Sequence, residues 1–233
     1  MMRVIMPSDL DLAVEAIEAG ELVAAPTRRW YMVCADATNS AACSRVFTGK
    51  QRPTTKSLAF VVPSIYAARD LFVMSSEARQ LAAALWPGDL ALVLPWREPS
   101  QGERHAAVGT PHALVISDPG VLGELANRSR APIAATTLSI SGANTAGPGP
   151  AITTAEVHRF TQTTGLDVAY CIEGGISPLA HHLTIVDCTA PRAKLVRSGV
   201  VHERAVEAAL HLDREASGLA AGTSGAAAPA AGR

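Results

Sequence analysis

Gly49-Lys50-Gln51-Arg52-Pro53-Thr54-Thr55-Lys56-Ser57 places three cations within seven residues, after a helical stretch and before an apolar run. Pro53 biases Arg52 toward extended backbone. In an extended segment, residues two apart project to the same side. Lys50 and Arg52 are therefore expected to face one space, a point charge beside a fork of donors, which suits a polyphosphate. Alone, the segment fits a solvated loop equally well, so its neighbours decide. Upstream, Asn39 is placed to cap a helix running through Phe47. Downstream, Ser57–Val62 reads as a strand apolar on both faces.

Further out, helices and strands alternate. Ser8 and Asp11 open a helix with Leu10, Val14 and Ile17 at helical spacing and Gly20 as its stop. Glu21–Ala25 is a short apolar strand ending at Pro26. Ser75 or Ser76 caps a helix to about Leu85, closed by the turn Trp86-Pro87-Gly88. Strands are expected at Leu90–Leu94, Ala113–Ser117, Pro132–Thr136, Asp167–Ile172, Leu183–Asp187 and Lys194–Arg197. Helices are expected at Gly120–Asn127, Thr154–Thr163 and His202–Leu212. This alternation implies an α/β sheet with helices packed on it.

The chain has 233 residues, 48% apolar and 18% charged, enough for one domain with a sizeable core. We expect that domain over residues 1–213, followed by an Ala/Gly-rich disordered tail over 214–233. A net charge of −1 argues against a protein-wide grip on nucleic acid. Cys34, Cys43, Cys171 and Cys188 form no CxxC pair, and buried free thiols are expected. The amino terminus has acidic residues where a signal peptide needs an apolar run. No stretch approaches the roughly 20 apolar residues of a membrane span. A soluble cytoplasmic protein is the expectation.

Two more segments could carry chemistry. Ala134-Ala135-Thr136-Thr137-Leu138-Ser139-Ile140-Ser141-Gly142 ends a strand with closely spaced hydroxyls, which can hold phosphate or ribose oxygens or simply form a polar turn. The following Gly142–Pro150 reads as a mobile loop, a candidate lid, and lacks the GK[ST] of a Walker loop. Pro26-Thr27-Arg28-Arg29-Trp30-Tyr31 puts a hydroxyl, two guanidiniums and two aromatics at a strand end, where open α/β sheets bind ligands. Adjacent His181 and His182 are not expected to share a metal, and neither GxSxG nor HExxH occurs.

Together and in order, these segments resemble the YrdC-like family, which includes the threonylcarbamoyl-adenylate synthases, from about Gly20 to Val201. Its P-T-[DE]-[TA]-x-[YF]-G-[LV] motif is met at Pro26, Thr27, Tyr31 and Val33. K-x-R-P-x-x-K is met fully at Lys50, Arg52, Pro53 and Lys56. W-P-G is Trp86-Pro87-Gly88, and T-S-x-N-x-S-G is met in part at Thr136, Thr137, Ser141 and Gly142. S-T-I-V-D appears as Leu183–Asp187, and R-x-G as Arg197-Ser198-Gly199.

The resemblance implies a single YrdC-like α/β domain, a twisted mixed sheet with flanking helices around a basic concave cavity. It implies synthesis of threonylcarbamoyl-AMP from ATP, bicarbonate and L-threonine, with pyrophosphate released, for modification of a tRNA adenosine. ATP is then a substrate and Mg²⁺ its companion, with no zinc or organic cofactor. Lys50 and Arg52 would be catalytic. Lys50, Arg52, Thr137, Ser139, Ser141 and Arg197 would hold the nucleotide. Thr27, Arg28, Tyr31, Lys56 and Thr184 would border the amino-acid and carbamate end. A separate downstream transferase is a further expected partner.

The sequence departs from the family at Arg28, Met32, Val115, Ser139 and Leu183. Val115 stands where an arginine is expected and Leu183 where a serine is. Arg28 and Arg29 are offered as a replacement clamp for a carboxylate. These departures keep two other readings open: a paralogue acting on another amine in a carbamoylation or biosynthetic pathway, and a non-catalytic nucleotide- or RNA-binding module.

Overall fold

A computed structural model describes residues 2–140 and 149–210. Ser141, most of the expected lid loop and the expected tail lie outside these residues. Among the described residues ten strands form one mixed sheet: β1 (Arg3–Ile5), β2 (Val23–Pro26), β3 (Tyr31–Asp36), β4 (Ala59–Val61), β5 (Leu90–Pro95), β6 (His112–Ile116), β7 (Ile133–Thr137), β8 (Tyr170–Ile172), β9 (Thr184–Asp187) and β10 (Lys194–Arg197). Their order is β1-β8-β2-β3-β7-β4-β6-β5-β9-β10. The β2–β3, β3–β7, β4–β7, β5–β6 and β9–β10 pairs are antiparallel and the other four parallel. Among the described residues these named helices flank it: α1 (Leu10–Glu18), α2 (Ser40–Gly49), α3 (Ile65–Leu71), α4 (Ser76–Leu85), α5 (Pro99–Arg104), α6 (Val121–Arg128) and α7 (Thr154–Thr164). Residues 203–210 are also helical.

Alternation along the central strands divides the core in two. Tyr31, Val33 and Ala35 of β3 point to one face, where Ala42, Cys43 and Val46 of α2 and Leu81 of α4 cover them. Met32 and Cys34 point to the other, under Leu10, Ala13 and Ile17 of α1 and Leu122 and Leu125 of α6. All four cysteines are buried and unpaired. No helix among the described residues is long and apolar enough to cross a membrane.

Local signals place most elements. Asn39 Oδ1 accepts the Ala42 N–H at 3.0 Å and opens α2 as expected. Ser75 does the same for Ala78 at 3.1 Å and opens α4. Gly20, at a φ of 84°, stands past the end of α1, where a left-handed residue is needed. Asn39→Ala should cost about 1 kcal/mol, read as a lowered urea midpoint, because it strands one of the first N–H groups of α2. Four elements were not expected from sequence: β1, β3, α3 and α5. The chain between Tyr31 and Asp36 is buried on both faces, so it shows no alternation to mark it as a strand.

Candidate active site

The cationic segment does not run extended from Lys50 to Arg52, which corrects the sequence expectation. Lys50 keeps helical backbone as the last residue of the α2 turn, and Gln51 follows in the left-handed region at a φ of 47°. The Gln51 N–H bonds Thr48 O at 3.0 Å and the Arg52 N–H bonds Phe47 O at 2.8 Å. Paired bonds of this kind close a helix with a left-handed residue, here without glycine. The turn sends Lys50 inward. Its side chain is 1% exposed, and its ammonium donates to the carbonyls of Thr137 and Ser139 at the end of β7. The Phe160 ring of α7 lies 6.0 Å away.

Burial pushes the Lys50 amine down to about 7, and the neighbouring Arg52 adds to the fall. Arg52 is half-buried, and burial lowers its pKa too. Its Nε bonds Lys56 O at 2.8 Å and its Nη2 bonds Ser57 O at 2.5 Å. Lys56 itself points to solvent. The Thr137 and Ser139 hydroxyls are half-buried and make no hydrogen bond among the described residues. Beside them opens a cavity of about 420 Å³, with Trp30, Leu138, Ile140, Ala151 and Phe160 on its apolar walls and Arg159 at its edge.

The residues assigned to the amine end sit at the β2–β3 turn and the start of β9. Thr27 spends its hydroxyl on the turn: it donates to Trp30 O at 2.8 Å and accepts the Arg29 and Trp30 N–H groups at 3.2 Å. The buried Tyr31 hydroxyl donates to Gly175 O at 3.1 Å and accepts the Gly174 N–H at 3.0 Å. Burial raises its pKa to about 12. Thr184, fully buried, donates to Val201 O at 2.6 Å. All three spend their hydroxyls on bonds to the chain.

The paired clamp expected of Arg28 and Arg29 is divided. Arg29 is buried, and its Nε donates to Asp89 Oδ1 at 2.8 Å. Arg28 lies 3.7 Å from Asp89 Oδ2 with a side chain 62% exposed. Asp118, also buried, faces the same group. Burial pushes its carboxyl up, against the Gly120 N–H and Arg29, and Asp89 adds to the rise. Asp89 and Asp118 were missed in the sequence. The available signal was a charged residue entering the apolar run Leu90–Leu94.

Arg197 of β10 donates from Nε to Leu183 O at 3.0 Å. Burial and then Arg29 lower its pKa, so the two guanidiniums share one electrostatic neighbourhood. Gly199 lets the chain beyond β10 lie on the backbone of His182 and Leu183, which a Cβ would strike. The His182 ring stands edge-on to Trp30, centroids 4.8 Å apart. Among the described residues no three His, Cys, Asp or Glu side chains gather as a metal cage.

Three departures turn out to be core positions. Val115 is fully enclosed on the α2 side of the sheet, the face that also carries Leu138 and Ala151 of the cavity wall. Met32 and Leu183 are buried on the α1 side, where their side chains fill the core. Strand register, which decides the facing, assigns them there.

The profile of the Sua5/YciO/YrdC family, described as "Telomere recombination", matches residues 15–199. A Mycobacterium tuberculosis protein provisionally named a threonylcarbamoyl-AMP synthase is 30% identical over 202 residues, covering 86% of this chain and 88% of its own. The Bacillus subtilis threonylcarbamoyl-AMP synthase is 28% identical over 206 residues, covering 87% of this chain and 57% of its own. The Pyrococcus abyssi Sua5 structure complexed with L-threonine superposes with a TM-score of 0.75 at 27% identity, over 90% of this chain and 60% of that one. This chain thus spans under two thirds of the Bacillus and Pyrococcus proteins. Escherichia coli YciO, at 16% identity and a TM-score of 0.73, shares the fold across its full length. Ordered motifs, one mixed sheet and a profile spanning most of the chain converge: the protein belongs to the Sua5/YciO/YrdC family.

Proposed function

We propose that this chain condenses ATP, bicarbonate and L-threonine into threonylcarbamoyl-AMP and releases pyrophosphate, supplying a tRNA-modifying transferase. The observation that carries the reading is the buried Lys50 ammonium at the end of β7, beside half-buried Arg52 and two unbonded hydroxyls. A carbamate formed from bicarbonate and the amine, with loss of water, attacks the α-phosphorus. The bond to the β-phosphate oxygen then breaks, and pyrophosphate leaves with the electron pair. Lys50, Arg52 and Arg197 would hold phosphate oxygens where that charge develops, with Thr137, Ser139 and Ser141 against the nucleotide. Thr27, Tyr31 and Thr184 would shape the amine end, with Lys56 at its margin. Such a site works by positioning and preorganised charge, without a covalent nucleophile.

Mg²⁺ would enter with the polyphosphate, which supplies oxygens such an ion prefers while keeping several waters. Asp89 is bonded to Arg29 and Asp118 to the Gly120 N–H, and the two offer it no ready cage. Pyrophosphate release from Mg–ATP and bicarbonate should depend on L-threonine. Release that needs a different amine would move the reading to a paralogous substrate. ATP binding with no release across an amine panel would leave a binding role.

A further inference from the structure

Lys50 is held where the ends of α2, β7 and α7 meet. The Thr137 and Ser139 carbonyls accept from its ammonium, which stands over the Phe160 ring of α7 at 6.0 Å from the centroid. A second contact fixes this approach. Gly49, the last residue of α2, lies so close to Leu166, two residues past α7, that a Cβ there would stand 2.6 Å from Leu166 Cδ1 and 2.9 Å from its Cβ. Phe160 also lines the 420 Å³ cavity, together with Leu138, whose two chain neighbours supply the carbonyls that Lys50 bonds. One ring is therefore both a cavity wall and a seat for the ammonium. Few charges share the place. Arg52 adds a like charge from Lys50's own turn. From α7, Glu156 and Arg159 reach the cavity, and Glu156 is bonded to the Ile152 N–H at 2.7 Å. From β7 come only carbonyls.

We propose that Phe160 is a positioning residue, its ring face holding the Lys50 ammonium at the cavity wall, in place for the phosphates. The proposal rests on the reading of Lys50 as a phosphate holder and deepens it. An aromatic face attracts a cation, more strongly where water is excluded. The same ring helps keep the site dry, which opposes the charge. Two substitutions separate these effects. Phe160→Leu keeps apolar cover and removes the ring face, so Lys50 should release its proton at lower pH. Phe160→Ala admits water, so the release should move to higher pH. A ring that only fills space would leave Phe160→Leu at the wild-type midpoint or move both variants upward.

The chain has three lysines, Lys50, Lys56 and Lys194, and the last two are exposed. NMR of isotope-labelled lysine Cε atoms in the full chain therefore follows the Lys50 titration directly, with the signal assigned by its loss in Lys50→Met. Phe160→Leu should lower the midpoint by about 0.5 to 1 unit, the scale of one cation–ring contact. Phe160→Tyr, which keeps the ring face, should stay near wild type. On the alkaline side of the titration, kcat/KM for pyrophosphate release should fall about 3- to 10-fold in Phe160→Leu, as the protonated fraction falls. Acid pH should close that gap, and Phe160→Tyr should restore the rate. Should Phe160→Ala fail to fold, the leucine and tyrosine variants still decide, because they differ in the ring face. Coincident midpoints in wild type, Phe160→Leu and Phe160→Tyr overturn the proposal, as does a rate loss in Phe160→Leu that persists at acid pH. If no amine supports release in wild type, the synthase reading fails, while a lowered midpoint in Phe160→Leu alone keeps the contact.

Discussion

Lys50→Met should reduce threonine-dependent pyrophosphate release by on the order of 10²- to 10³-fold in kcat/KM, with the fold retained. That is the scale of losing one preorganised donor at a site of developing charge. The same substitution should change how stability depends on pH. An unfolded lysine keeps its proton to about 10.4, whereas Lys50 in the folded chain releases it near 7. Between those values the folded chain binds fewer protons than the unfolded one, so stability rises as pH rises through the window. Below the window the cost of burying the ammonium is present in full, offset in part by the Thr137 and Ser139 carbonyls. Methionine has a similar length and no charge. Urea midpoints of Lys50→Met should therefore stay flat between about pH 6 and pH 9, where those of the wild type climb. ATP, whose phosphates favour the ammonium, should bind wild type less tightly as pH rises above about 7. Unchanged kcat/KM in Lys50→Met would remove this side chain from the site.

Where a feature is set by neighbours in sequence, it was legible. Asn39 and Ser75 open their helices with side chains three residues from the N–H they accept. The β5 run was found because it is apolar and follows a turn. β3 was hidden, because an ionic turn precedes it and burial on both faces removes its alternation. Lys50 and Arg52 were expected to face one space from an extended segment, and the backbone between them is not extended. Their approach depends on a left-handed Gln51, a conformation usually signalled by glycine or asparagine. The facing of Met32, Val115 and Leu183 required the strand register. The Arg29–Asp89 contact joins residues 60 positions apart and left only a faint local trace.

Asp89→Asn should be the most destabilising single change at the site, about 3–5 kcal/mol, the usual cost of removing one partner from a buried ion pair. Arg29 is 3% exposed, and its guanidinium has Asp89 as its direct counter-charge at 2.8 Å. An asparagine can accept the same hydrogen bond but cannot neutralise the cation, so the desolvation cost of Arg29 is left uncompensated. For a domain of this size the loss corresponds to a Tm lower by roughly 10 °C. Asp118 limits the damage. Asp89 helps hold Asp118 toward its neutral form, so removing that charge lets Asp118 ionise more readily and oppose Arg29. Asp89→Asn and Asp118→Asn together should then cost more than the sum of the single changes, a coupling read by a double-mutant cycle. The pH dependence carries the same signature. In wild type the folded chain keeps the Asp118 proton at pH values where the unfolded chain has lost it, so this group weakens the fold as pH rises through that window. Asp89→Asn should narrow the window from its upper end. Additive costs, or a loss under about 1 kcal/mol in the single variant, would mean that Arg29 draws its compensation from elsewhere.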